Sequence, residues 1–588
     1  MPSILPASML ALAMLVFGAA TPVMAQVARA PTIVPDPSEI EIDGRTLPAW
    51  IRRYRADLDS VLHVHDIATG LRREAALRTL HQGWLERLSK LDATDFDLED
   101  RIDRLLFERA LRQALAELDF EARRVVETAP LLPGHADLVD LLERRRALEF
   151  ADGRASAERL DRIRALLSAR SDEIAKLGAA AVPGIRPALG YRAAAQLERS
   201  QTALKAWYAF YADYDPQFTW WVRTPYEALL KTIDQYLPVL RGQLAGADDP
   251  AVIVGDPIGR EALVASLQAE LIPYSPEELI ALAEHQLEGI RAEMAAVAKA
   301  MGYDDWRQAL EYIKTRSPAP GEQPRLVREL ADEAVAFLRD NALMTIPDLA
   351  TRDWRMNMLD PKAQEQAPFF LGGVDVWVAY PTSTMPHEKR MMSLRGNNRH
   401  FSRAVVHHEL IPGHHLQHFM TQRYQSHRRL FSTPFWTEGW ALYWELRLYD
   451  LGFAKTPEDR LGMLFWRAHR AARIQFSLGF HLGTMTPAQA IDLLVGNGHE
   501  RENAAAEVRR SFAGDYPPIY QAAYLLGGLQ FLALHEELVG SGQMSEREFH
   551  DRVLRGGPMP VEVVRTRLRG ETPTAPFRST WRFYRLPE

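Results

Sequence analysis

Residues 97–124 read DLEDRIDRLLFERALRQALAELDFEARR. Apolar side chains recur there at three- and four-residue spacing, and residues so spaced share one face of an α-helix. The stretch therefore predicts a long amphipathic helix. LERSQTALKAWYAFYADY at 197–214 repeats the pattern, and helical periodicity runs from about residue 39 to residue 246. Helix starts are also written out. Ser275-Pro276-Glu277-Glu278 offers a capping hydroxyl, a proline for the first turn and a glutamate that reaches back. Thr456-Pro457 and Thr486-Pro487 use the same device, the latter with Gln489 in the reach-back position. One segment differs. FFLGGVDVWVAYP at 369–381 alternates Val374, Val376 and Val378 with Asp375, Trp377 and Ala379, which predicts a strand with Gly372-Gly373 as a bulge or turn. No solenoid repeat, low-complexity tract or linker interrupts the chain after residue 40. The expectation is a mainly α fold: a single helical domain over residues 40–588, divided by a cleft, with a small β element.

The composition narrows the functional classes. Of 588 residues, 47% are apolar and 25% charged, values that exclude collagen-like, disordered and polytopic membrane proteins. A net charge of -7 lacks the basic excess of a general nucleic-acid binder. Cysteine is absent, so any metal must be held by His, Asp or Glu. The first residues, MPSILPASMLALAMLVFGAATPVMAQ, carry an apolar run ending in Val23-Met24-Ala25. This reads as a signal peptide over 1–25 followed by a flexible linker over 26–39, placing the mature protein in the periplasm or outside the cell without stable membrane insertion. No Lys or Arg precedes the run, and its length also suits an uncleaved anchor.

The most informative stretch is Val405 to His418, VVHHELIPGHHLQH, with five histidines and one glutamate in 14 residues. A zinc hydrolase needs three protein ligands, an open position for water and a base beside it. In an HExxH helix the two histidines lie one turn apart and the glutamate faces the water. His408-Glu409 supplies the first half, but the position four residues on is Pro412, which cannot ligate. Proline opens a helix, and a two-residue bulge at Pro412-Gly413 would carry His414 to the place of the second histidine. His415 lies on the face of His408 but about 10 Å along a regular helix. His414 and His418, four apart, form a competing pair without an adjacent glutamate. Glu438, in FWTEGWALY (435–443), is the candidate third ligand, 24 residues after His414.

At these residues the chain resembles the bacterial family of unknown function 885, whose signature is similar to HExxPGHHxQ followed by EGWALY. Both are present, at His408 to Gln417 and Glu438 to Tyr443. The resemblance continues through HLGTMTPAQAIDLL (481–494), ENAAAEV (502–508) and Tyr520 to Gly527. The family in turn resembles the helical gluzincin peptidases, among them angiotensin-converting enzyme and the thimet-type oligopeptidases. That likeness implies two helical lobes around a deep channel, zinc at its floor, and a ligand glutamate about 24 residues after the second zinc histidine. Two places depart from the family pattern. Ile519-Tyr520 stands where Pro-Gly is common, and Ser477-Leu478-Gly479-Phe480-His481 replaces Asp-Thr-Gly-Leu-His. These departures bear on substrate contacts more than on the metal.

The expectation is a zinc metallopeptidase acting on short peptides, with Zn2+ held by His408, His414 and Glu438, and Glu409 as general base. Tyr524 is the candidate oxyanion donor, because the resembling peptidases use a Tyr or His from a late helix, and His481 is the second candidate. Arg395, Asn398 and Arg399 could anchor a peptide carboxylate, and the strand at 374–380 could pair with a substrate backbone. Trp436 and Trp440 are expected to pack around Glu438. Glu445, seven residues on, is either behind the ligands or a surface charge. A zinc amidohydrolase for non-peptide amides or esters, and a metal-free binding protein of the same fold, are the alternatives.

Overall fold

All of residues 97–124 but the capping Asp97 fall inside a helix of 31 residues, Leu98–Thr128. It starts where the sequence writes a cap: the Asp97 carboxylate accepts from the Asp100 amide, and Asp100 reaches back to Asp97. Its N-terminal half buries Ile102, Leu106, Phe107 and Leu111 in the larger of two main hydrophobic cores. Its last residue, Thr128, donates to Gln196 Oε1 at 2.8 Å, beside a second core built from 131–244. One continuous helix thus ties the two cores together. The second core is made by His135–Arg146, Gly153–Leu177, Pro187–Tyr211 and Pro216–Pro238, which bury Leu160, Ile163, Leu204, Trp207 and Phe218 among them. A smaller third cluster stacks Phe480 on Phe512 with ring centroids 3.7 Å apart.

The computed structural model describes residues 33–181, 184–249, 251–366, 372, 375–514, 516–574 and 576–586. The expected signal peptide over 1–25 lies outside the described residues. So does most of the expected linker, although its end forms a capped 3-10 turn at Pro37–Glu39. The capped starts at Ser275, Thr456 and Thr486 are all present. Among the described residues the fold is mainly α, as the periodicity predicts. The sheet found there has two parallel strands, β1 (Arg355–Met358) and β2 (Asp375–Val378), with Met356 opposite Val376. β2 is the core of the strand expected from the alternation, whose earlier part (369–371, 373 and 374) lies outside the described residues. Its partner β1, reading RMNM, carries no β-branched residue and no alternation of burial, so nothing in the sequence marks it.

The chain ends are held to the middle by one buried ion network. Arg428 is fully buried. Its Nε donates to Asp103 Oδ1 at 2.6 Å, Nη1 to the Gly556 carbonyl at 2.7 Å, and Nη2 to Glu99 Oε2 at 2.7 Å. His427 meets the other Asp103 oxygen at 3.0 Å. Removing one partner of a buried pair strands the other charge in the interior, at a cost of about 3–5 kcal/mol. Arg428→Ala is therefore expected to lower the unfolding free energy by about that amount in chemical denaturation. A change under about 1 kcal/mol would show that Asp103 does not depend on Arg428.

Candidate metal centre

The first motif helix, Arg399–Glu409, is started by Asn398, whose side chain accepts from the His400 and Phe401 amides at 3.0 Å. It stops at Glu409, and a second motif helix begins at His414 and runs to Thr421. Between them the Ile411-Pro412 peptide is cis. The connecting hydrogen bonds run from Gly413 N to His407 O (3.1 Å) and from Leu416 N to Leu410 O (3.3 Å). Each spans six residues instead of four, which is the two-residue bulge that the proline predicts. Position 413 must be glycine: a Cβ there would sit 1.7 Å from the His408 carbonyl oxygen.

The candidate third ligand, Glu438, arrives on the glutamate helix, Pro434–Asp450. Its motif residues each have a structural task. Gly439 permits contact with the tyrosine helix, Tyr520–His535, since a Cβ on Gly439 would lie 2.6 Å from Gly527 Cα. Trp440 donates from Nε1 to the Pro412 carbonyl at 2.9 Å and so pins the bulge. Glu445, buried, takes His408 Nδ1 at 2.7 Å. Glu438 points between the two motif histidines: His408 Nε2 lies 3.4 Å and His414 Nε2 3.1 Å from its Oε2.

Those separations test whether a metal fits. Ligand atoms about 2.0–2.1 Å from a tetrahedral zinc stand roughly 3.3–3.4 Å apart. The three ligand atoms here lie within 4.8 Å of one another, and the two measured edges bracket the tetrahedral value. Both nitrogens of His408 face carboxylates, an arrangement that needs either a proton or a cation at Nε2. Nδ1 bonded to a carboxylate is the support that metal-ligating histidines ordinarily have. Burial would lower the pKa of His408, but Glu438 and Glu445 outweigh it and push it up to about 9. Burial alone would raise Glu438, but His414 and His408 hold it well below the usual carboxylate range. The donor set therefore fits zinc.

The ligands open onto a cavity of about 670 Å3, lined also by Glu409, Gly372, His418, Tyr516, Tyr520, Tyr524 and several arginines. All the lining residues fall between 372 and 558, so the core over 131–244 supplies no wall. Burial raises the pKa of Glu409. A Cβ on Gly372 would meet Glu409 Oε2 at 1.8 Å, so backbone passes directly over that carboxylate. Tyr524 stacks on the His408 ring with centroids 6.0 Å apart.

The sequence-predicted residues divide clearly. His408, Glu409, His414, Glu438 and Tyr524 come together in one cavity, with Glu445 behind. His481 does not: it is buried near the far end of the arginine helix, Pro457–Leu482, outside the cavity lining, beside Phe480 and within the field of Asp256 and Arg124. The expected carboxylate anchor at 395–399 is also elsewhere. Arg395 binds Glu500 and Glu311, Asn398 caps its helix, and Arg399 faces Glu329. His415 turns away, 2.8 Å from the Ala350 carbonyl and 3.0 Å from Asp353, and His407 is buried edge-on against Phe453. His418 reaches the cavity without joining the ligand cluster. The sequence reading missed Tyr520, whose hydroxyl donates to Glu438 Oε1, and the arginines of the wall, Arg470, Arg473 and Arg510. Helical spacing carries no mark of which arginine faces a cavity. A second group, His535, Glu546 and His550, also brings ligand atoms together. Its atoms are already engaged, because Arg447 holds Glu546 at 2.5 Å and Tyr443 pairs with His550 Nε2 at 2.7 Å.

The chain belongs to the bacterial family of unknown function DUF885, whose profile matches residues 64–568. It is similar to a solved structure from Shewanella oneidensis, described as a lipoprotein of unknown function. The TM-score is 0.65 at 16% identity, covering 90% of this chain and 100% of that one. A second, from Colwellia psychrerythraea and also described as a lipoprotein, gives a TM-score of 0.56 at 15% identity, covering 89% and 97%. No curated protein matches the chain.

The geometry makes separable demands on neighbouring residues. His414→Ala should abolish zinc binding, while His415→Ala should leave most of it, as read by metal analysis after dialysis. Gly413→Ala should also lose zinc, because the added carbon collides with backbone that cannot move without parting the two helices. Full zinc content in either His414→Ala or Gly413→Ala would contradict the ligand set.

Proposed function

We propose that the protein is a zinc-dependent hydrolase of peptide bonds in short peptides. The observation that carries this reading is the convergence of three candidate ligand atoms, with Glu438 Oε2 3.4 and 3.1 Å from the two histidine nitrogens and a glutamate next to His408, all lining one cavity. When bound, zinc would supply polarisation of a carbonyl and acidification of a water. The protein's own groups do the rest. Glu409 stands next to His408 with its carboxyl raised by burial, which suits it to take a proton from water and hand it to the leaving amine. Glu445 holds His408 in the tautomer that leaves Nε2 free for the metal. Tyr524, stacked on His408, is the candidate donor to a developing oxyanion. The cavity volume of about 670 Å3 falls in the range of small-ligand sites, which supports short peptides as substrates. The apolar leader over 1–25 and the lipoprotein descriptions of two similar structures support a place outside the cytoplasm. Among the described residues no helix is long and apolar enough to cross a membrane.

The test is metal analysis joined to digestion of a peptide library, with and without chelator. Stoichiometric zinc and chelator-sensitive cleavage are expected, and absence of both would end the proposal. Glu409→Gln should retain zinc yet lose turnover by roughly 100- to 10,000-fold, the range for a general base. Tyr524→Phe should lower kcat by about 10- to 1000-fold with little change in KM, as expected for a group acting in the transition state. An unchanged kcat would return Tyr524 to a packing role.

A further inference from the structure

The cavity lining beside the candidate ligands is basic, and two of its charges flank one ring. The guanidinium of Arg470 lies 4.6 Å and that of Arg473 4.4 Å from the centre of the Tyr524 ring. Both arginines are buried and both line the cavity. Arg470 touches Glu445 at 3.3 Å. Arg473 gives its Nε to Glu507 at 2.7 Å, while its Nη1 has no hydrogen-bond partner. Arg510, also on the wall, shares Glu507, which is buried and further bonded by Gln521 at 2.9 Å. Arg429 adds a fourth guanidinium at the rim.

Four arginines, Arg429, Arg470, Arg473 and Arg510, stand against four carboxylates, Glu409, Glu438, Glu445 and Glu507. Burial keeps the neighbouring His469 and His499 neutral, with His499 pushed down to about 3. These eight charges balance among themselves, and a divalent cation held by neutral histidines would add excess positive charge to the cavity. Uncompensated buried charge is costly, so the loaded cavity favours an anionic ligand. Guanidinium forks match a carboxylate in two-pronged fashion.

We infer that this wall is a subsite for the terminal carboxylate of the substrate, so that the protein acts near the C-terminus of short peptides. The inference rests on the peptidase reading above. It moves the carboxylate anchor from the loop at 395–399, where the sequence places it, to Arg470, Arg473 and Arg510. The Arg473-to-Tyr524 and Tyr524-to-His408 ring separations together put the guanidinium within about 10 Å of the His408 ring. At about 3.3–3.6 Å per extended residue, the terminus lies no more than about three residues from the bond cut. Arg473 is here a positioning residue, set by Glu507.

The experiment uses full-length Glu409→Gln protein incubated with zinc, which holds peptides without cutting them. Three libraries of N-acetylated tetrapeptides are offered: free acids lacking Asp and Glu, the same sequences as C-terminal amides, and amides carrying one Glu. Bound peptide is read by ultrafiltration and mass spectrometry. The free acids should be retained at least ten-fold better than the plain amides, and better than the Glu-containing amides. Equal retention of acids and plain amides, or no retention of either, overturns the subsite. Preferred retention of the Glu-containing amides overturns the terminal assignment in favour of an acidic side chain. Arg473→Lys keeps the charge beside Glu507 but loses the fork, so it should erase the acid-over-amide preference while zinc content is unchanged; persistence of the preference counts against the inference. Should that variant fail to fold, Arg510→Gln gives the same readout. Zinc content, measured separately, decides the peptidase reading: protein that discriminates acids from amides but binds no zinc fails that reading and not the subsite.

Discussion

The site depends on one constraint, the two-residue excess between His408 and His414. On an unbroken helix those side chains would point about 120° apart. They converge because the chain leaves the helix at Glu409 and re-enters at His414. Three contacts hold that detour. Hydrogen bonds spanning six residues close it, Trp440 binds the Pro412 carbonyl, and glycine at 413 allows backbone to pass where a Cβ would collide with His408 O. The glutamate helix thus does two things: it carries Glu438, and through Trp440 it fixes the turn that aligns His408 and His414. Its own position is set in turn by the close glycine contact with the tyrosine helix. Ligand geometry and helix packing are here one problem.

Burying so many charges is costly unless each is paired, and the pairing is layered outward from the metal ligands. Glu438 faces two histidines and Tyr520; His408 is backed by Glu445; Glu445 meets Arg470. A second chain runs through Arg473, Glu507 and Arg510. The aromatic ring of Tyr524 lies between the two, stacked on His408 and flanked by both buried arginines. Such networks rigidify a site only when every member is satisfied. Donors without a partner remain in the arginine layer, among them Nε of Arg470 and Nη1 of Arg473, so that layer is the less fully satisfied of the two.

What the sequence displayed and what it concealed follow from the range of the signals. Helical periodicity, Ser- and Thr-capped starts and the Pro-Gly break are local, and each is where the residues predict it. The clustering of His408, His414 and Glu438 was legible because two of the three sit in one motif and the third follows at a fixed interval. Long-range placement was not legible. Nothing in Arg395 or Arg399 distinguishes them from Arg470 or Arg473 along the chain. Yet the first pair is spent on Glu311, Glu500 and Glu329, and the second lines the cavity. His481 failed for the same reason: it shares a helix with Arg473 but stands about 12 Å further along it, beyond the cavity lining. β1 was silent because four residues without alternation look like loop.

The departure at Ile519-Tyr520 calls for a different conclusion than its sequence suggests. Set against the common Pro-Gly, it reads as a change in substrate contacts. In the structure the Tyr520 hydroxyl donates to Glu438 Oε1, the oxygen turned away from both histidines. With Oε1 engaged by the phenol, Oε2 is the oxygen that would face a metal held by Glu438 and the two histidines. Glycine at that position would leave Oε1 without this partner. The substitution thus bears on the carboxylate between the histidines as well as on the cavity wall. Tyr516, stacked on Tyr520 at 4.7 Å, holds the ring in place for it.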